Sequence, residues 1–344
     1  MQDTNGMNSV GLDNIGNTCF LNTCIQILFH TPELNQILME RHKPCEENPD
    51  SVITAEWIRL VQEMSKHTSS RVIISPKRFV FFIQKVAKKK GQDLFTGWSQ
   101  NDFTEFLYFL VDCFHSNLSR KVKLEILGEP STKIDDLAIQ CYSYLREAYR
   151  REYSEMMQLF YGVFVSQICS LDESVCYSSK PENYFVIDLE IPAPQPNRLV
   201  SLDDCIQLFT QGEKMTGEDA WFNEKTGKKE DIVKKMSFWN FPKVLTVSLK
   251  RFNNELTKKD VLIDFPLAGL DLSKYTCGYN RQKFIYDLYA VCNHSGDNQS
   301  GHYTAFIQRE GKWYCYNDTQ VFEIQENQIV SPYAYCLFYL RRNG

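Results

Sequence analysis

The sequence predicts an α+β protein, and three observations carry that reading. Up to about residue 160 the apolar residues recur at helical spacing; from Phe164 onward they fall in short alternating runs; and the two patterns are segregated rather than interleaved. With 344 residues, 43% of them hydrophobic, and with 23 Phe, 18 Tyr and 5 Trp, the chain has ample material for a core. One continuous unit over 1–344 is expected, helical over about 9–160 and strand-rich over 161–344. No internal repeat or low-complexity segment interrupts it.

The first element follows Gly11-Leu12-Asp13-Asn14-Ile15-Gly16-Asn17-Thr18. Gly11 and Gly16 loosen the backbone, Asn17 and Thr18 are N-cap types, and Phe20, Cys24, Ile27 and Leu28 then mark one helical face up to Thr31-Pro32. Mixed apolar and basic stretches from 51 to 90 read as helix broken near Ser75-Pro76, with Lys88-Lys89-Lys90 as a solvated face. Next, Phe103, Phe106, Leu107, Leu110, Val111 and Phe114 define the strongest amphipathic helix, with Ser99 and Asp102 matching a capping signature. A further helix is expected over Ile134 to Phe160.

Strands are expected at 164–168, 184–191, 244–249, 284–292, 303–308 and 313–316, the last two joined by a turn at Glu310-Gly311. Pro192 to Pro196 reads as an extended connector, and Glu224 to Lys235 as an exposed hairpin tip. Trp221, Phe222, Phe238 and Trp239 are available for aromatic packing in that region.

A formal charge of -5 argues against a general nucleic-acid binder. There is no 18-residue apolar run and no secretory leader, so a soluble intracellular protein, cytoplasmic or nuclear or both, is expected, with no membrane partner. Twelve dispersed cysteines without a Cys-x-x-Cys pair read as mostly reduced thiols and offer no thiolate zinc signature.

The chemistry is expected where three residue types meet. Cys19 opens a buried helix, where unpaired amides and the helix dipole favour a thiolate. His302 follows a small polar loop, Ser295 to Gly301, and opens a strand. Asn317-Asp318 lie one hairpin further on, where a side chain can hold the imidazole that takes the thiol proton.

Four ordered motifs resemble the ubiquitin-specific proteases. Gly11 to Asn22 is similar to that family's Cys box, Gln100-Asn101-Asp102-Phe103 to its Gln-Gln-Asp-Ala element, Leu249-Lys250-Arg251-Phe252 to its Leu-Lys-Arg-Phe strand end, and Tyr286 to Phe306 with Trp313 to Asp318 to its His box. The resemblance implies a papain-like cysteine protease fold with thumb, palm and fingers subregions. It implies a thiol-dependent deubiquitinase, monomeric, acting on ubiquitin and ubiquitinated proteins without cofactor. Cys19 then resembles the nucleophile, His302 the base, Asn317 the third member with Asp318 beside it, and Asn14 the oxyanion donor. Gln100, Asp102, His294 and Tyr303 resemble residues lining the channel for ubiquitin's C-terminal tail. The departures are Asn101 and Phe103 in the second motif and the fingers, where Cys169 and Cys176 stand alone and Trp221 to Glu224 offers no thiol. The fingers are therefore expected to fold without zinc. The alternatives implied are a catalytically weak ubiquitin-binding module and a protease for a ubiquitin-like modifier.

Overall fold

The helix that carries Cys19 is buried all round. Every residue of α1 (Cys19–Phe29) except Phe29 is shielded, so this helix lies in the middle of the molecule rather than on it. The computed structural model describes residues 9–67, 71–194, 196–253, 255–297 and 300–342. Gln195 of the proline-rich connector, and Asn298 and Gln299 of the loop before His302, lie outside them.

Around α1 pack α2 (Pro32–Arg41), α3 (Asp50–Ser65), α4 (Lys77–Lys89) and α5 (Phe103–Leu118). Pro32 at the first turn of α2 explains why α1 stops where it does. The cap of α5 is Asp102 itself rather than a Ser99 capping box: its Oδ1 accepts from the amides of Thr104 at 2.7 Å and Glu105 at 3.0 Å. Lys90 is not part of a solvated face, since its ammonium sits at 3.2 Å from buried Asp50 and 3.0 Å from Asp112. The expected helix over 134–160 is two, α6 (Lys133–Arg151) and α7 (Glu155–Phe160). Between them the backbone of Tyr153 pairs with that of Arg120, and Ser154 caps the second helix. A ninth-to-twelfth-residue strand, β1 (Ser9–Leu12), runs parallel to β2 (Arg71–Ile74).

The remaining strands are β3 (Gly162–Ser170), β4 (Cys176–Tyr184), β5 (Val186–Glu190), β6 (Val200–Ser201), β7 (Glu213–Met215), β8 (Trp221–Asn223), β9 (Lys228–Glu230), β10 (Ile232–Asn240), β11 (Val244–Lys250), β12 (Ile263–Asp264), β13 (Leu270–Asp271), β14 (Ile285–Gly296), β15 (Gly301–Arg309), β16 (Lys312–Asn317), β17 (Gln320–Ile324) and β18 (Ala334–Arg341). The order β17-β16-β15-β14-β18-β11-β5 makes the main sheet, with β13 beside β14, and β4-β3-β10-β7 makes a second sheet. A short helix, α8 (Leu202–Thr210), covers part of the first. Ile232 and Val233 are buried strand residues, so the exposed hairpin tip ends before them. Phe222 is 54% exposed and adds nothing to the packing there, whereas Trp221 stacks on Tyr177 and Trp239 meets Tyr142 and Tyr279 edge-on.

Alternation along the main sheet divides the core in two. Ala290 and Cys292 of β14 and Cys336 and Phe338 of β18 face the helices; Leu288, Val291, Leu337 and Tyr339 face the other side, towards α8. Phe103, Phe106, Leu107, Leu110 and Phe114 of α5 close the helical side, each contributing roughly 1.5–3 kcal/mol by leaving water.

A buried cation ties a loop to this sheet. Arg251, 0% exposed just after β11, donates from Nε to the Ala334 carbonyl at 2.5 Å and from Nη1 to the carbonyls of Lys259 and Val261, each at 2.9 Å. Burial lowers its pKa to about 10, which leaves it charged at neutral pH. Arg251→Met should strand those acceptors and destabilise the fold by about 2–4 kcal/mol in urea unfolding, with the 255–261 loop becoming protease-sensitive. An unchanged midpoint with the loop still protected would show that the guanidinium does not hold it.

Candidate active site

Asn14 folds the loop that enters α1. Its Oδ1 accepts from the amides of Gly16 at 3.2 Å and Thr18 at 3.1 Å and from the Thr18 hydroxyl at 3.3 Å. Gly16 and Asn17 both take positive φ, 125° and 52°, and Asn17 Nδ2 donates to the Trp98 carbonyl at 2.9 Å. This loop does what a side-chain N-cap would otherwise do, for Thr18 occupies the cap without making that bond. Cys19 is left as the first residue of α1, 3% exposed, with the helix amides and dipole behind its sulfur.

His302 comes from the hairpin β15–β16, whose turn residues Glu310 and Gly311 both have positive φ, 49° and 78°, as a tight two-residue hairpin requires. The register pairs Ala305 with Tyr316, which brings Asn317 level with Thr304, on the same face as His302. The His302 Nε2 accordingly donates to Asn317 Oδ1 at 2.7 Å, leaving Nδ1 for Cys19. The thiol of Cys19 hydrogen-bonds the imidazole, and that contact, opposed by burial and reinforced by Asn317, raises the His302 pKa to about 9.

Asp318 does not touch the imidazole. At φ 49° it turns its carboxylate back towards the N-terminal segment, where Oδ2 accepts from Asn14 Nδ2 at 3.0 Å and Oδ1 from Asn22 Nδ2 at 2.8 Å. Its carbonyl accepts from the Leu12 amide at 2.8 Å. Gly11 does not loosen this region: it sits in β1 where an added Cβ would lie 2.5 Å from the Thr319 carbonyl oxygen, so its missing side chain permits the close approach.

A second polar cluster lies on the other face of β15, around Tyr303. Gln100 and Gly301 exchange two hydrogen bonds, Nε2 to the carbonyl at 3.1 Å and the amide to Oε1 at 3.2 Å. The free oxygen of Asp102, Oδ2, accepts from the hydroxyls of Tyr303 at 3.2 Å and Tyr335 at 2.6 Å. His294 lies against both tyrosine rings, with centroids at 4.6 and 5.8 Å. Burial, then the Lys258 ammonium, lowers its pKa to about 4, so it is a neutral imidazole near pH 7. Lys258 Nζ donates to the His294 carbonyl at 2.7 Å and so ties the 255–261 loop to β14.

The structure thus brings Cys19, His302, Asn317, Asp318 and Asn14 into one group, and Gln100, Asp102, His294 and Tyr303 into an adjoining one. Asn22, Lys258 and Tyr335 were not singled out in the sequence. Asn22 closes the Gly11 to Asn22 stretch that resembles the Cys box, a signal that was available; Tyr335 and Lys258 have no local pattern that distinguishes them. Among the described residues no group of three or more His, Cys, Asp or Glu side chains is placed to hold a metal ion.

A buried helix-end cysteine hydrogen-bonded to a strand histidine, itself held by an asparagine, in this α+β framework, defines the class: a papain-like cysteine hydrolase fold. A family model described as ubiquitin carboxyl-terminal hydrolase matches residues 10–339, and the chain belongs to that family. Human ubiquitin carboxyl-terminal hydrolase 2 is 32% identical over 97% of this chain and 56% of its own length. Human ubiquitin carboxyl-terminal hydrolase 21 is 32% identical over 97% of this chain and 62% of its own. The chain therefore spans less than two thirds of these relatives. The fold is also that of the SAGA Ubp8/Sgf11/Sus1/Sgf73 DUB module bound to ubiquitin aldehyde, at TM-score 0.72, 22% identity, 99% of this chain and 71% of that one.

Because Cys19 is the first cause of the raised His302 pKa, Cys19→Ala should move the imidazole titration, followed by NMR, from about 9 down towards the ordinary 6.5. With the folded pKa raised, the stabilisation linked to His302 is complete below about pH 6.5 and is lost as pH climbs through about 9. A titration unmoved by the substitution would mean that the thiol does not engage the ring.

Proposed function

We propose that this chain is a thiol-dependent deubiquitinase that cleaves the isopeptide, peptide or ester bond after ubiquitin's C-terminal glycine. The observation that carries the reading is the Cys19–His302–Asn317 chain of hydrogen bonds, in a member of the ubiquitin carboxyl-terminal hydrolase family. Ubiquitin as the partner is supported by the ubiquitin aldehyde bound to the structurally similar Ubp8 module.

In this mechanism Cys19 is the nucleophile. The raised pKa of His302, about 9, keeps the imidazole protonated at neutral pH, and Cys19 attacks as the thiolate paired with it. The thiolate adds to the glycine carbonyl carbon, and the oxyanion is met by the Asn14 amide, which has a second hydrogen beyond the one given to Asp318, and by first-turn amides of α1. Imidazolium protonates the departing lysine amine as the tetrahedral adduct collapses to a thioester. Neutral His302 then takes a proton from water, which adds to the thioester carbonyl, and collapse expels Cys19 as thiolate with His302 again protonated. Asn317 keeps the ring aimed; Asp318 keeps Asn14 aimed. Gln100, His294 and Tyr303 narrow the channel to a Gly-Gly end, and Asp102 meets the cationic residues of the tail.

An electrophilic ubiquitin C-terminal probe should label Cys19 of the wild-type chain, and Cys19→Ala should abolish labelling while ubiquitin still binds. Failure of the wild-type chain to react, together with labelling by a probe built on a ubiquitin-like protein, would reassign the substrate; labelling of Cys19→Ala would remove the nucleophile assignment.

Asp102→Asn separates recognition from capping. An asparagine keeps an oxygen for the Thr104 and Glu105 amides, so thermal stability should change little, while loss of the charge should raise KM for ubiquitin substrates about tenfold. An unchanged KM would leave Asp102 with its structural bonds only.

A further inference from the structure

The second sheet ends in a hairpin where β3 turns over residues 171–175 into β4, and the last rung pairs Cys169 with Cys176. The ladder shifts immediately before this rung, between Ile168 and Cys169, so that Tyr177 is passed over and the two cysteines oppose each other. Directly opposed residues on antiparallel strands hold their Cβ atoms about 4.5–5.5 Å apart, and a disulfide needs about 3.8 Å. A small closing movement joins them.

The surroundings fix that rung. The Ser170 amide donates to the Val175 carbonyl at 2.8 Å, the Val175 amide to Ser170 Oγ at 3.0 Å, and Asp172 Oδ1 accepts from Ser170 Oγ at 2.6 Å and Ser174 Oγ at 2.8 Å. Lys235 of β10 pairs with Glu173 of the turn, and its ammonium acts on both sulfurs. Cys176 Sγ donates to the Ser178 carbonyl at 3.3 Å, and the exposure of the two thiols differs: Cys176 is open to solvent and Cys169 is 3% exposed. Cys292 and Cys336 also share a rung, but both are 0% exposed, where no solvent-borne oxidant reaches them. Among the rung-paired cysteines of the described residues, the 169–176 pair alone combines opposition with access.

We propose that Cys169 and Cys176 are a hairpin-tip dithiol that hydroperoxides convert reversibly to a cross-strand disulfide. Cys176, as thiolate, attacks the peroxide oxygen; the O–O bond breaks, hydroxide or alkoxide leaves and takes up a proton, and Cys176 becomes a sulfenic acid. Cys169 then attacks that sulfur and loses its proton, the S–O bond breaks, water leaves and the S–S bond forms. Two thiols are oxidised by two electrons and one peroxide is reduced. A dithiol reductant reverses the step by exchange. The ring so closed holds the tip shut, so the stiffness of this hairpin follows its thiol state. None of this depends on the activity proposed above.

The test uses the full chain carrying Cys19→Ala, which removes oxidation at that sulfur from the readout. After hydrogen peroxide, denaturation and alkylation, the peptide holding both cysteines should lack two hydrogen atoms and take up no alkylating agent, and dithiothreitol should restore both thiols. Amides of 168–177 should exchange at least about tenfold more slowly in the oxidised protein. Adding Cys169→Ser should leave Cys176 to run on to sulfinic acid, and adding Cys176→Ser should leave Cys169 alkylatable. The proposal is overturned if Cys176 passes to sulfinic acid while Cys169 stays a free thiol, if both stay free, or if either bonds a different cysteine.

Discussion

One carboxylate joins the two ends of the chain. Asp318 accepts from Asn14 and Asn22, 304 and 296 residues away, while its carbonyl takes the Leu12 amide, so the turn after β16 is bonded to the segment that leads into α1. Cys19 and His302 belong to different elements of different chain regions, and their contact is only as good as the relative position of α1 and β15. A charge-assisted pair of amide bonds, with Gly11 letting the backbones approach, fixes that position more stiffly than packing alone. The same carboxylate leaves the imidazole to Asn317. Orientation of the ring and alignment of the two chain regions are thereby handled by neighbouring residues that face opposite ways.

Asp102 shows a similar division within one side chain. Oδ1 completes the start of α5, and Oδ2 gathers the hydroxyls of Tyr303 and Tyr335, whose rings pack on His294. The helix that supplies the core with Phe106, Leu110 and Phe114 therefore also holds the Tyr303–Tyr335–His294 cluster in place. Arg251 donates to backbone carbonyls, while Lys258 donates to the His294 carbonyl and pairs with Asp260 at 3.7 Å, and together they hold the 255–261 loop.

Burial sorts the cysteines by chemistry. Cys24, Cys292 and Cys336 surround the base of the site and are all 0% exposed, where desolvation pushes their thiols up and leaves them as packing. Cys19 is nearly as buried, but its neighbour is an imidazole and its backbone is a helix start, so the charged form has partners there. Cys176 is different again, exposed at a hairpin end.

The sequence alone determined the segregation of helix from strand, the start of α1 at Cys19, the length of α5 and the hairpin that returns Asn317 towards His302, because each rests on local periodicity, capping or turn chemistry that a short window contains. It also singled out nine residues that the structure gathers into two clusters, but not Asn22, Lys258 or Tyr335, which bond to them. It did not show β4, which is polar along most of its length, β10, whose exposure changes along its length, or β18, which is buried on both faces, nor the break between α6 and α7, which a pairing with distant Arg120 imposes. Only the tertiary structure decided that Asp318 faces Asn14 and Asn22 rather than His302, that Asp102 caps a helix and binds two tyrosines at once, and that Lys258 and Tyr335 reach His294 and Asp102 at all. Those facts depend on which lone pairs remain free after the backbone has folded, and that is settled by contacts between residues hundreds of positions apart.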